Sequence, residues 1–185
     1  MLDLRTAPLP DGDGPRAAAR EWAASRIAER LGPFDPVLVA SLASGLQADQ
    51  DSDVDVVCDT RAGGFVPAVR AAYGARAGFA LWTSDGRTVV SFEGDARRVE
   101  LSAEPRAVED QRAYRHAVAH RRLVLAGGAA FAAEVRERRR RDGLKTEPAL
   151  AAVLALEGDP FDAVEALATA DDAELAVLLA RRARP

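Results

Sequence analysis

The sequence predicts an α/β (α+β) fold: a mixed sheet of about five strands flanked by helices and followed by a C-terminal helical part. Two apolar runs, 36–42 and 53–58, enclose a loop of small residues and read as paired strands. Three further strand patterns follow in quick succession, separated by Asp85-Gly86 and Glu93-Gly94-Asp95. From Ala107 onward the apolar spacing is helical throughout. The 185 residues suit one domain or a compact core with a helical extension. The division expected is an α/β core over 1–105 and a helical part over 106–185 packed on it.

In order along the chain, Asp13 N-caps a first helix with Pro15 in its first turn, running to Leu31 and stopped by Gly32. Val37–Leu42 reads as a buried strand, 43–52 as a loop, and Asp53–Cys58 as the next strand. Gly63-Gly64 break the chain before a helix carrying Phe65, Val69 and Tyr73, extending to about Ala77. Phe79–Thr83 and Arg87–Glu93 form a hairpin about Asp85-Gly86, and Arg97–Ser102 follows the second turn. Helices are then expected over Val108–Leu125, Ala129–Arg141 (split by Gly127-Gly128), Thr146 to Glu157-Gly158, Pro160–Ala168 and Asp172–Arg182, the last capped by Asp171.

Composition excludes several classes. At 48% hydrophobic and 29% charged, the chain can bury a core. No run of about 18 apolar residues exists to cross a membrane. The opening Met-Leu-Asp-Leu-Arg-Thr has no basic segment leading into an apolar one, so no secretory signal is read and a cytoplasmic location is expected. The single cysteine, Cys58, rules out an internal disulfide and a Cys-rich zinc site. The net charge of −4 is unevenly spread, with a basic excess confined to 106–145 and acidic excess on both sides of it. That layout suits a polyanionic ligand held by metal and arginines rather than a general nucleic-acid binder, which would be basic overall.

The chemistry-bearing stretch is Asp53-Val54-Asp55. In an extended strand the two aspartates share one face while Val54 and Val56 share the other. Paired carboxylates repel unless a cation lies between them, and oxygen-only ligands suit Mg²⁺ (or Mn²⁺). The preceding loop, with Ser41, Ser44 and Gly45, offers hydroxyls and backbone amides to a phosphate. In Arg98-Val99-Glu100-Leu101-Ser102, Val99 and Leu101 face one side and Glu100 the other. Paired beside Asp53–Cys58, this strand would bring Glu100 to the aspartates as third metal ligand or general base.

These residues resemble the polymerase-β-type nucleotidyltransferase superfamily, whose signature is a Gly-Ser on a loop, an acid-x-acid pair further on and a third acid on a later strand. Ser41 matches the serine, Gly45 a glycine that often follows it, Asp53 and Asp55 the pair, and Glu100 the third acid. Ala40 departs from the signature glycine, which lets backbone approach phosphate closely. A closer resemblance runs from about Val37 to Leu167. The strings Gln111-Arg-Ala-Tyr114-Arg115-His116 and Lys145-Thr146-Glu147-Pro148-Ala149 are similar to a bacterial DUF4269-type family of nucleotidyltransferase-like proteins. The resemblance implies a nucleotidyltransferase-like core and Mg²⁺-dependent transfer of a nucleoside monophosphate from a nucleoside triphosphate to an acceptor of unknown identity. A catalytically silent nucleotide-binding or protein-interaction module of the same fold is the alternative.

In the helical segment, Arg115 and His116 either contact phosphate or acceptor, or pair with acids of the chain itself. His116 and His120, four residues apart, either share a metal or form a polar helix face. Lys145, at a helix start, either holds a phosphate or belongs to a capping arrangement. Arg138–Arg141 read as a solvated helix end that complements the dipole.

Overall fold

The structure, a computed structural model, describes residues 2–49 and 52–182. Gln50 and Asp51, within the expected 43–52 loop, lie outside the described residues. Five strands, β1 (Val37–Val39), β2 (Val54–Asp59), β3 (Ala80–Ser84), β4 (Arg87–Glu93) and β5 (Arg98–Glu104), form one mixed sheet in the order β1-β2-β5-β4-β3. β2 and β5 run parallel and every other pairing is antiparallel. The connection from β2 back to β5 consists of helix α4 and the β3–β4 hairpin. Asp85 and Gly86, both at positive φ, make the hairpin turn that right-handed strand twist favours. Helices α1 (Asp13–Ala24), α2 (Ile27–Arg30), α3 (Ala40–Ser44) and α4 (Phe65–Tyr73) belong to the first part, and α5 (Arg112–Asp142), α6 (Thr146–Leu154), α7 (Pro160–Ala166) and α8 (Asp172–Arg182) to the second.

The sheet separates two apolar cores. Val54, Val56, Cys58, Val99 and Leu101 alternate onto one face and pack with Ile27, Phe65, Val69 and Tyr73. Tyr73 stacks on Phe92 with ring centroids 4.3 Å apart and donates its hydroxyl to the Ser25 carbonyl at 3.0 Å. On the opposite face only β1 and β2 contribute, through Val37, Val39 and Val57, against the C-terminal helices. No helix among the described residues is long and apolar enough to cross a membrane.

Several boundaries differ from the sequence expectation for local physical reasons. The first helix stops at Ala24 because Arg26 takes the left-handed conformation, and a separate turn, α2, follows. Gly12 rather than Asp13 is its N-cap residue; Asp13 pairs with Arg16 at 2.8 Å. The run Val37–Leu42 is strand only to Val39, after which Ala40, at φ +63°, turns the chain into α3. The break expected at Gly127-Gly128 is present: Gly128, at φ 67°, ψ −170°, leaves the helical conformation and kinks α5 into two helical stretches. The expected helix start over Val108–Asp110 is a separate 3₁₀ turn, divided from α5 by the extended Gln111. α6 ends at Leu154, where Ala155 turns left-handed, and Lys145 rather than Thr146 precedes it as cap. α7 is capped as its sequence suggests, the Asp159 carboxylate accepting from the amides of Phe161 and Asp162 at 3.0 Å each. Asp171 and Glu174 close a reciprocal capping box at the start of α8, each bond 2.8 Å.

Candidate active site

The acids lie on the face of the sheet opposite Val54 and Val99, the face against which the C-terminal helices pack. Asp55 of β2 is in register with Glu100 of β5, with Val39 beyond Asp55 and Ser91 beyond Glu100 in the same row across the sheet. Neighbouring strands stand about 4.8 Å apart, so two carboxylates are held side by side by backbone pairing alone. Their electrostatics follow from that crowding. Burial pushes the Asp55 carboxyl up to about 7, with the charges of Glu100 and Asp53 adding to it. Burial also raises Glu100, reinforced by Asp53 and opposed by Arg98 and Arg87. Asp53 is raised by burial and opposed by Arg98, whose Nε lies 4.0 Å away. Among the described residues nothing donates a hydrogen bond to the Asp55 or Glu100 carboxylate. Equally, no group of three or more His, Cys, Asp or Glu side chains among them is arranged to hold a metal ion. The register brings the donors to neighbouring positions without drawing their oxygens together, as mutual repulsion dictates.

The loop before β2 starts from α3. Ser41 lies in its first turn and accepts, through its carbonyl, the Leu46 amide at 2.8 Å. Ser44 is buried and its hydroxyl is engaged with the Ser41 carbonyl at 3.2 Å, which stabilises the turn from within. Gly45 supplies the left-handed residue that ends α3. Ala40 occupies a backbone conformation in which a Cβ costs about 1–2 kcal/mol, so glycine would be the less strained residue there. Ala40→Gly is therefore expected to raise stability by about 0.5–1 kcal/mol, since the backbone entropy lost by glycine offsets part of the relief. Thermal denaturation reads this directly; an unchanged or lower Tm would contradict a left-handed Ala40.

Two arginines of α5 fix the same loop: Arg136, which the sequence did not single out, and Arg139, which the run Arg138–Arg141 had placed on a solvated helix end. Arg136 Nη1 donates to the Gly45 carbonyl at 2.7 Å, and Arg139 donates to the carbonyls of both Leu46 and Leu144. Because one guanidinium holds Leu46 and Leu144, the exposed Lys145 stands beside the loop. Arg138, Arg140 and Arg141 pair with Asp142 or Glu137 on the helix surface.

Arg115 and His116 are at the opposite end of β2. The neighbouring Gln111 donates to the Cys58 carbonyl at 2.8 Å, at the end of the strand away from Asp53. Arg115 is engaged with Glu165 at 2.6 Å and with the Asp110 carbonyl at 2.8 Å. His116 lies between the Phe161 carbonyl at 3.0 Å and Glu147 at 3.3 Å. His120 Nε2 is 3.5 Å from the same Glu147 oxygen, and both its ring nitrogens are buried without a hydrogen-bond partner. Burial pulls His120 down to about 4, against Glu147 and with His116 and Arg139. Burial works to raise Glu147, but His116 and His120 outweigh it and hold the carboxyl at about 2. The geometry thus joins α5, α6 and α7 by intramolecular pairing, and brings together His116 and Glu147 from two strings that were separate in sequence.

Glu21 was also missed. It is 1% exposed and accepts the amides of Asp95, Ala96 and Arg97 at 2.8–3.1 Å together with the Ser25 hydroxyl at 2.7 Å. Gly94 is required beside it, because a Cβ there would lie 2.1 Å from Glu21 Oε1. From the same turn Arg97 Nη1 reaches the Ser52 carbonyl at 3.2 Å, one residue before Asp53. The spacing of one acid inside an amphipathic helix gave no sign of this clasp.

The architecture is similar to that of solved structures. The structure of the GLD-2/RNP-8 complex matches with a TM-score of 0.55 at 12% identity, covering 78% of this chain and 59% of that one. The Cid1 poly(U) polymerase with MgGTP bound matches with a TM-score of 0.56 at 14% identity, covering 79% and 51% respectively. At these identities the likeness establishes the fold alone, and this chain spans little more than half of either neighbour's length. No curated protein matches the sequence. The family model described as a domain of unknown function (DUF4269) matches residues 21–167, so it takes in Glu21 and the last turn of α1 as well as the sheet and the helical part through α7, and the chain belongs to that family.

Proposed function

We propose that the protein is a Mg²⁺-dependent nucleotidyltransferase that moves a nucleoside monophosphate from a nucleoside triphosphate to a hydroxyl or phosphate acceptor. The observation that carries the proposal is the Asp55–Glu100 register pair, with Asp53 beside it, on the sheet face that the C-terminal helices border. The donor set fits a hard divalent cation: it consists of oxygens only, and burial, reinforced by the charges of Glu100 and Asp53, raises Asp55 to about 7. Asp53 and Asp55 would hold Mg²⁺ or Mn²⁺, with Glu100 as third ligand or general base. A bound cation there would supply neutralisation of charge developing on the α-phosphate and the leaving oxygen. Ser41 and the amides around it would hold the β- and γ-phosphates, on a loop fixed by Arg136 and Arg139, with Lys145 at its rim. Ser44 shapes that loop rather than contacting ligand, and Arg115 and His116 are assigned to tying α5 to α7 and α6.

Ala40, left-handed without being glycine, favours a second reading: a catalytically silent nucleotide-binding or protein-interaction module of the same fold. Calorimetry with ATP, GTP, CTP and UTP, with and without Mg²⁺, combined with detection of pyrophosphate, separates the two. The expected result is Mg²⁺-dependent turnover of at least one triphosphate, lost in Asp53→Asn with the fold retained. Binding without turnover supports the silent module, and turnover unchanged in Asp53→Asn removes the catalytic assignment.

A further inference from the structure

The sheet face that carries the acids continues beyond them. Strand alternation places Arg98 of β5, Arg87 and Ser91 of β4 and Trp82 of β3 on it, with Trp82 opposite Val89 and Val89 opposite Ser102. The apolar core of the C-terminal helices takes sheet residues from β1 and β2 only, and Val89 belongs to neither core. Trp82 is 40% exposed on this open area and is the one aromatic among the exposed large apolar side chains of the described residues. Arg98 lies between the acids and the open area, donating to Ser91 Oγ at 3.1 Å with its Nε 4.0 Å from Asp53. Arg87 makes only a loose 3.8 Å pair with Asp85, and its Nε is buried with no hydrogen-bond partner. Both guanidiniums stand near enough to Glu100 to favour its ionised form.

We propose that this surface is the acceptor subsite and that the acceptor is a small phosphorylated molecule with a planar ring, of the nucleoside 5′-monophosphate class. The ring stacks on Trp82 and the phosphate lies between Arg87 and Arg98, next to the acids. This inference rests on the nucleotidyltransferase reading. Among the described residues the strands turn two arginines, Arg87 and Arg98, to this face, with Glu93 opposite Arg98, and the chain carries a net charge of −4, whereas a polynucleotide is gripped through many phosphates. The reaction balances without a base: an acceptor phosphate oxygen, already ionised, forms a bond to the α-phosphorus of the triphosphate. The bond from that phosphorus to the β-phosphate oxygen breaks, pyrophosphate leaves with the electron pair, and the product is a phosphoanhydride.

The test uses the full chain bearing Trp22→Phe, which leaves Trp82 as the fluorescent reporter, titrated without metal or triphosphate. Adenosine 5′-monophosphate is expected to quench saturably, at least tenfold more tightly than adenosine or inorganic phosphate. Arg87→Met and Arg98→Met are each expected to weaken it about tenfold, with thermal denaturation confirming that both fold. The Trp82→Ala change in the otherwise native chain is expected to weaken binding of the same nucleotide, read by calorimetry. Equal affinity for adenosine and its monophosphate, indifference to the three substitutions, or tighter binding of a single-stranded pentanucleotide would overturn the proposal. Because the titration contains no triphosphate, a failure here is distinct from an absence of turnover.

Discussion

At pH 8 and without divalent cations, Asp55→Asn is expected to be more stable than the native chain, by about 1–2 kcal/mol. The Asp55 carboxyl titrates near 7 in the folded protein against an ordinary value of 3.8, because burial and then Glu100 and Asp53 disfavour its charge. A raised carboxyl binds its proton more tightly folded than unfolded, so its contribution to stability is present below the unfolded value and is lost as pH rises from about 4 to about 7. The whole shift corresponds to roughly 4 kcal/mol, and partial exposure of the side chain screens that figure downward. The amide keeps the shape and removes the charge. Mg²⁺ reverses the ranking: at a hundredfold excess over its Kd it stabilises the native chain by about 2.7 kcal/mol, and leaves the variant unmoved. Denaturant titrations at pH 8 with and without Mg²⁺ measure both halves. A variant less stable than the native chain, or one with an undiminished Mg²⁺ response, would sink the assignment of Asp55 as a charge awaiting a cation.

His120→Leu is expected to act in the same pH range with the opposite sign. His120 is held down at about 4 by burial, against the pull of Glu147 and with the push of His116 and Arg139. Between pH 6.5 and 4 the unfolded chain takes up a proton that the folded chain refuses, so stability falls with acidification by about 3 kcal/mol on this account. Removing the imidazole removes that slope. In the native chain the Asp55 and His120 contributions offset each other between about pH 4 and 6.5. Asp55→Asn should therefore show stability rising steeply with pH there, His120→Leu should show it falling, and the double variant should be nearly flat. Parallel profiles for the two single variants would contradict the assignment.

The fold was legible where pattern and backbone agree. Asp53-Val54-Asp55-Val56 alternates between two environments, so its strand and its faces could be read in advance, and the pairing with Glu100's strand, conditional in the sequence, is met by the register. Asp85-Gly86 announced its hairpin because both residues tolerate positive φ. Val37–Leu42 misled because apolar continuity carries no information about the backbone angle of Ala40. Glu21 was invisible because its partners are backbone amides of a turn far along the chain. The meeting of His116 with Glu147 depends on how α6 folds back on α5, which helical spacing alone does not specify. Arg139 looked like part of a solvated arginine run and Arg136 carried no signal, since sequence does not distinguish a guanidinium that caps a carbonyl from one in water.

The parallel pairing of β2 with β5 also sets when the chain meets its own electrostatic conflict. Asp55 and Glu100 become neighbours only when the long connection through α4 and the β3–β4 hairpin closes. Their repulsion is thus absent from the early, local steps of folding and is imposed near the last one. It shortens the lifetime of the folded chain far more than it delays its formation, and a cation that relieves it acts as a brake on unfolding.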